Sequence, residues 1–338
     1  MDLVVTFLGT AASAPSAARG TSATLVARGG RRWLIDCGEG TQRQLLSSGL
    51  GLVDMDGVFV THMHGDHYLG LPGLLKSYAL RGRERPLPLV GAPGLKGLLH
   101  DLRRTIGRLS FPLEVHEVDP DPGGELVVVE DSVRITAFPT AHSVASIGFR
   151  IAEDDRPGVF DVEAARAAGV PEGPSWGLLQ RGRAVDLASG VTVRPEDVLG
   201  APRAGRTVVL TGDTGPCAAT LVAADGASLL VHEATFSDVD RARARETGHS
   251  TATEAAEIGR KADVALLALT HISARYHPRE IREEAESVFE RVVVPRDFTQ
   301  IDIPYPDRGS PIVARPERVN GRPVAAATTG DAGTLPPE

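Results

Sequence analysis

Apolar positions in this chain come in short runs, broken by Gly, Ser and Pro. Leu3–Leu8, Ala23–Ala27 and Arg32–Asp36 read as strands with turn-rich loops between them. A helix is predicted over Thr41–Ser48, then a short strand over Gly57–Thr61 and a helix over Leu69–Ala79. Val127–Val129, Arg134–Ala137 and Ile147–Ile151 again read as strands. Past an irregular stretch, Thr207–Thr211 and Leu229–Val231 are apolar strands. Thr251–Lys261 is a helix opened by the capping box Thr251-x-x-Glu254. Val264–Thr270 is a buried strand and Pro278–Glu290 a helix. Strands alternating with helices after an opening run of strands predict an α/β layered fold.

Two segments break the pattern. Residues 152–206 carry Pro157, Pro171, Pro174, Pro195 and Pro202, many charges and little periodicity, which predicts an insertion projecting from the body. From residue 306 the chain has six prolines and four glycines in 33 residues, so 306–338 is predicted to be a disordered tail. No fixed-period repeat is present.

Composition narrows the class. The 338 residues suit one large domain or two modest ones, and 42% apolar content supplies a sizeable core. No apolar stretch approaches the ~18 residues of a membrane span. The start, MDLVVTFLGT, lacks the basic opening and long apolar centre of a signal peptide. Cys37 and Cys217 make neither a disulfide framework nor a thiolate metal site, which predicts a reducing cytoplasm. A net charge of −8 argues against a generally basic nucleic-acid binder, but leaves room for a local basic groove or for metal ions as the positive element. Only three of the 36 basic residues are lysine, which reads as compositional bias before phosphate recognition.

The chemistry concentrates in THMHGDHYLG, where His62, His64, Asp66 and His67 lie within six positions. Imidazole suits zinc and similar metals, and carboxylate suits harder ones such as manganese or iron. Four ligands this close cannot all reach one tetrahedral ion. Dividing them, with His62 and His64 on one ion and Asp66 and His67 on a second, relieves the geometry, and Gly65 is expected to turn the backbone sharply between the pairs. His142, Asp213 and His271 each follow an apolar strand, where open α/β folds place their sites. A lone His or Asp there is more often a turn or core residue; beside the cluster, the three complete a two-metal set with Asp213 as bridge. His249 lies just before the capping box, at a helix N-terminus that favours an anionic group. If Glu233 meets His249 in space, it would hold that imidazole protonated. His100, His116 and His277 have no partner motif.

These stretches, with FLGTAASAP, DCGEGTQRQLL, VHEATF, HST, THISARY and RDFTQIDIP, resemble the ribonuclease Z family, and the resemblance runs from about Met1 to Pro304. It implies a metallo-β-lactamase fold over 1–305, an αββα sandwich of two β-sheets flanked by helices, with 152–206 as a flexible exosite arm that grips precursor tRNA. It implies an endoribonuclease that removes 3′ trailers with two zinc ions per subunit, and a homodimer whose arm serves the partner's site. Asp66 would accept a proton, and His249, backed by Glu233, would donate one. Gly173, Pro174, Arg181 and Arg183 on the arm, with Arg19, Ser273 and Arg275, are the expected substrate contacts. One departure stands out. The family's Pro-x-Lys-x-Arg-Asn loop, associated with sensing the CCA end, is here Pro15-Ser16-Ala17-Ala18-Arg19-Gly20, without its lysine and asparagine. The rival is another binuclear hydrolase of this fold, acting on small phosphodiesters or sulfate esters.

Overall fold

The computed structural model describes residues 2–324 apart from 53, 121–124, 131, 315–316 and 320–321. Two sheets stack face to face. The first has strand order β17-β16-β1-β2-β3-β4-β5-β6, formed by Ile312–Ala314, Gln300–Asp302, Leu3–Gly9, Ala23–Arg28, Arg31–Ile35, Gly57–Val60, Leu87–Gly91 and Leu113–Glu117 respectively. The second runs β15-β14-β13-β12-β9-β8-β7, formed by Val292–Val293, Leu267–Thr270, Leu229–Glu233, Thr207–Leu210, Ile147–Glu153, Val133–Pro139 and Glu125–Glu130. Alternation builds the layers. In β1, Leu3, Val5 and Phe7 enter the core between the sheets, joined from the other side by Ile135, Phe149, Val208 and Val231. Phe59 and Phe149 meet edge to face across that seam, with ring centroids 5.2 Å apart. The outer face of the first sheet is covered by α1 (Thr41–Ser47), α3 (Leu71–Leu80) and α4 (Leu95–Ile106) through Leu45, Leu74 and Leu95. The second is covered by α7 (Ala218–Ala224), α9 (Ala252–Lys261) and α10 (Pro278–Glu286) through Ala224, Ala256 and Ile281. The α2 turn, Gly65–Tyr68, and α8, Arg241–Thr247, flank the strand ends. The expected αββα sandwich is what the chain forms. No helix among the described residues is long and apolar enough to cross a membrane.

Several expectations change. The predicted elements pass over residues 80–120, which hold β5, α4 and β6. The predicted α9 is present with its capping box intact: Glu254 N–H donates to Thr251 Oγ1, and Thr251 N–H to the Glu254 carboxylate.

The expected irregular insertion has order of its own. Its two legs form a narrow stem, where Arg156 and Arg203 exchange backbone hydrogen bonds of 2.8 and 2.9 Å. A Cβ on Gly158 would sit 1.9 Å from the Gly200 carbonyl oxygen, so the legs close this tightly only with glycine there. Beyond the stem, α5 (Val162–Ala167), α6 (Pro174–Gln180) and the β10–β11 hairpin (Val185–Asp186, Thr192–Val193) enclose a small core of Ala165, Val170, Leu179, Val185, Val193 and Val198. Those six side chains are spread over some thirty residues without a period, which is why the sequence read as loop.

The tail also needs correcting at its start. Pro306–Arg308 form a 3-10 turn, and Ile312–Ala314 pair antiparallel with β16, so order continues past 305. The sheet edge supplies the backbone partners that composition alone could not announce. Residues 325–338 lie outside the described residues.

Candidate active site

The strand ends of both sheets converge on one pocket. β3 delivers Asp36, β4 delivers Thr61 and His62, and the short α2 turn carries Asp66 and His67. From the second sheet, β8 leads to His142, β12 to Asp213, β13 ends in Glu233, and β14 leads to His271. The seam is drawn tight here. Ile147 N–H donates to the Thr61 carbonyl at 3.0 Å, and a Cβ on Gly212, at φ 62°, would strike the Thr61 side chain at 2.6 Å. Gly65, by contrast, makes no sharp turn: it opens α2 in an ordinary helical conformation after His64 at φ −89°. The bend between the ligand pairs is made by the start of that helical turn.

All seven candidate ligands meet. His62, His64, His142 and Asp213 offer atoms within 4.8 Å of one another, and Asp66, His67 and His271 do the same beside them. Asp213 lies between: one oxygen is 3.4 Å from His67 Nε2, and the other is 3.7 Å from His62 Nε2 and 3.3 Å from His271 Nε2. Asp66 Oδ2 is 3.2 Å from His271 Nε2 and 3.6 Å from His67 Nε2.

The back sides of the imidazoles explain their aim. His67 Nδ1 donates to Asp36 Oδ2 at 2.7 Å. Thr61 Oγ1 donates to Asp36 at 3.1 Å and so accepts from His62 Nδ1 at 3.0 Å. His142 Nδ1 donates to the Gly248 carbonyl at 2.7 Å. Thr235 Oγ1 donates to Glu233 at 2.7 Å and accepts from His271 Nδ1 at 2.8 Å. With Nδ1 protonated in all four, each Nε2 points a lone pair inward, which is how ligating histidines are oriented. His64 instead turns Nδ1 toward His142 Nε2, at 3.2 Å.

That leaves acceptors facing acceptors. His62 Nε2, His67 Nε2 and Asp213 Oδ1 are buried without a hydrogen-bond partner. Buried polar groups in this state are rare and call for an explanation, and a cation among mixed nitrogen and oxygen donors satisfies all of them at once. A divalent metal therefore fits the pocket. The acidic surroundings that suit a cation draw a proton onto His67 in its place. Burial, then the neighbouring His67, pulls His62 down to about 2. Burial also opposes charge on His67, but Asp213 and Asp36 overcome it and raise His67 well above the ordinary imidazole range. Burial disfavours ionised Asp213, yet His271 and His67 hold it well below the carboxylate range.

His249 and Glu233 stand beside this pocket as a pair. His249 Nδ1 donates to Glu233 Oε1 at 2.7 Å and lies 3.9 Å from Asp213. Glu233 is 1% exposed and also accepts from Thr214 N–H, Thr235 N–H and the Thr235 hydroxyl. Burial works against protonated His249, but Glu233 prevails and pushes it up to about 9.

Asp36 was absent from the candidate set. It is an acid directly after an apolar strand, the pattern that singled out Asp213, and it holds φ 59° at 4% exposure. His271 takes φ 55°. Left-handed conformations cost non-glycine residues about 1–3 kcal/mol each and gather at functional sites. The expected substrate contacts scatter. Arg19 faces inward, donating to Thr10 Oγ1 at 2.7 Å and the Pro295 carbonyl at 3.4 Å, so it ties its loop to the body. That loop also sets Ser13 N–H on Asp66 Oδ2 at 2.8 Å. Arg275 is exposed and Ser273 half-buried just past His271, while Gly173, Pro174, Arg181 and Arg183 are exposed on the insertion.

A two-sheet sandwich flanked by helices, with His and Asp side chains at its strand ends, defines a metallo-β-lactamase fold. Residues 31–161 match the beta-lactamase superfamily domain. The chain is 47% identical to ribonuclease Z of Haloferax volcanii over 311 residues, covering 91% of this chain and 97% of the relative. It is 45% identical to that of Myxococcus xanthus over 310 residues, covering 90% and 99%. Among solved structures, human tRNase Z, short form (ELAC1), superposes with a TM-score of 0.66 at 29% identity, covering 89% of this chain and 99% of that one. The chain belongs to the ribonuclease Z family.

Proposed function

We propose that this protein is an endoribonuclease that removes 3′ trailers from precursor tRNA, leaving a 3′-hydroxyl on the tRNA and a 5′-phosphate on the trailer. The observation that carries it is a pocket of converging lone pairs beside a separate, charged His249–Glu233 pair, in a chain related over nine-tenths of its length to ribonuclease Z. Two zinc ions suit the donor set, one held by His62, His64, His142 and Asp213, the other by Asp66, His67, His271 and Asp213; manganese or iron fits the same atoms. Bound there, such a pair would neutralise charge on the scissile phosphate and would lower the pKa of water enough to supply hydroxide near neutral pH.

The chain's own residues manage the protons. Asp66, aimed by Ser13 N–H, takes one from the attacking water. As the bond from phosphorus to the 3′ oxygen breaks, His249 gives a proton to that oxygen, and Glu233 stabilises the protonated imidazole beforehand. General acid–base assistance of this kind contributes about 10²–10⁴-fold. The arm grips the tRNA through Arg181 and Arg183 beside the Gly173-Pro174 turn, phosphate contacts that position without reading sequence. Ser273 and Arg275 lie beside the pocket, in reach of the nucleotides at the cut. A cytoplasmic homodimer, each arm serving the partner's site, completes the reading.

The test incubates the protein and zinc with a 3′-extended tRNA, with and without a CCA end, beside bis-p-nitrophenyl phosphate. Trailer release at the tRNA's 3′ end is expected. Turnover of the small diester alone favours the rival hydrolase of small phosphodiesters or sulfate esters, and turnover of neither refutes both.

A further inference from the structure

Residues after β16 meet the base of the arm in a way none of the site chemistry uses. Arg156 stands on the outgoing leg of the stem, Arg203 on the returning leg, and Arg206 where that leg re-enters the body. Asp307 accepts from both legs: from Arg156 through Oδ1 and from Arg203 Nη1 through Oδ2 at 3.3 Å. The Tyr305 ring lies between the same legs. The Arg156 guanidinium carbon is 3.6 Å from its centroid and that of Arg206 4.1 Å. Arg206 is itself buried and anchored, donating to Glu153 and to the Ile303 carbonyl at 2.9 Å. One short segment thus holds both legs by a shared carboxylate and a shared aromatic face.

We propose that Tyr305 and Asp307 are positioning residues that clamp the arm's stem to the body and fix where the arm presents Arg181 and Arg183 to a bound precursor tRNA. The stem is only two chain segments wide, joined by isolated backbone bridges, so without a third element it would pivot about those hydrogen bonds. The clamp lies at the arm's base, its ion pairs and ring contacts among the described residues go to Arg156, Arg203, Arg206 and Arg308, and it leaves hydrolysis of a small substrate untouched. The inference rests on the reading of the arm as the tRNA grip.

Tyr305→Ala/Asp307→Asn tests it against wild type, with Tyr305→Phe as the conservative variant that keeps the ring face. With precursor tRNA, the double variant should raise KM roughly tenfold at near-constant kcat, the scale expected when a half-buried cation–π stack and ion pairs are lost together. Its rate on bis-p-nitrophenyl phosphate should match wild type, and Tyr305→Phe should be near normal on both. Hydrogen exchange across 154–160 and 199–205 reads the clamp without any substrate, and should quicken in the double variant. An unchanged KM for tRNA, parallel losses on both substrates, or unaltered exchange overturns the clamp. Wild-type protein that hydrolyses the diester but not the tRNA, with faster stem exchange in the variant, overturns the tRNA reading and leaves the clamp standing.

Discussion

Asp36→Asn is the sharpest probe of the pocket, because it changes one atom of a buried carboxylate that touches no substrate. Asn accepts the left-handed backbone that Asp36 holds at φ 59°. Thr61 N–H, fixed 2.8 Å from Oδ1, requires the amide oxygen on that side. The new NH2 must then face the Thr61 hydroxyl and His67 Nδ1, which lie 3.1 and 2.7 Å from Oδ2. The hydroxyl rotates to accept. His67 cannot, and must move its proton from Nδ1 to Nε2, the atom aimed at Asp213. The fold survives, since Nε2–H now donates to Asp213, but a ligand lone pair is gone. Restoring it forfeits a charge-assisted hydrogen bond of about 1.5–3 kcal/mol, or roughly 10- to 150-fold in metal affinity at about 1.36 kcal/mol per decade. Zinc competition against a chromophoric chelator measures the loss directly. In thermal unfolding at a free zinc concentration 100 times the wild-type Kd, the metal should stabilise wild type by about 2.7 kcal/mol, and a variant 100-fold weaker by only about 0.4 kcal/mol. Unchanged zinc affinity refutes the tautomer argument; so does an equal loss of stability already present in metal-free protein.

The remaining predictions are shorter. Asp66→Ala should abolish cleavage while tRNA binding measured by gel shift persists; near-normal turnover with metal bound removes Asp66 as proton acceptor. The rate of wild type should fall as pH rises through about 9, where protonated His249 is lost, and Glu233→Gln should move that alkaline limb toward acid by withdrawing the carboxylate that raises it; an unmoved limb assigns the proton elsewhere. Chelation should lower the melting temperature and re-addition of zinc restore it, because the seven candidate ligand side chains from two sheets then face one another uncompensated. Cys37 is fully buried with its thiol pushed up to about 12, so native protein should take label from a thiol reagent at half-buried Cys217 alone, as mass spectrometry would show.

The seven candidate ligands that meet in the pocket could be picked out because their signal is local. His62, His64, Asp66 and His67 sit in one turn, and His142, Asp213 and His271 each follow an apolar strand, so type and position speak without knowledge of the fold. The residues that aim them were not legible in the same way. Thr61, Thr235 and the Gly248 carbonyl matter only because particular loops meet, and nothing about a threonine after a strand announces its partner. Asp36 had the right signal but no neighbouring histidine in sequence to draw notice. Likewise, the arm's core of small aliphatic residues has no period, and the β16–β17 extension depends on an edge that sequence does not display.

The pairing of β1 with β16 sets a clock on synthesis. Val4, Val5 and Thr6 lie against Asp302, Ile301 and Gln300, and Thr10 donates to Asp297 across a separation of 287 residues. At ~5–20 residues per second, the ribosome needs roughly 15–60 s to supply that partner after the first strand is made. Throughout that interval LVVTFLG, wholly apolar but for one threonine, keeps one edge unpaired. The nascent chain's period of greatest exposure to mispairing and to chaperones therefore begins with its first strand and closes only when β16 has emerged.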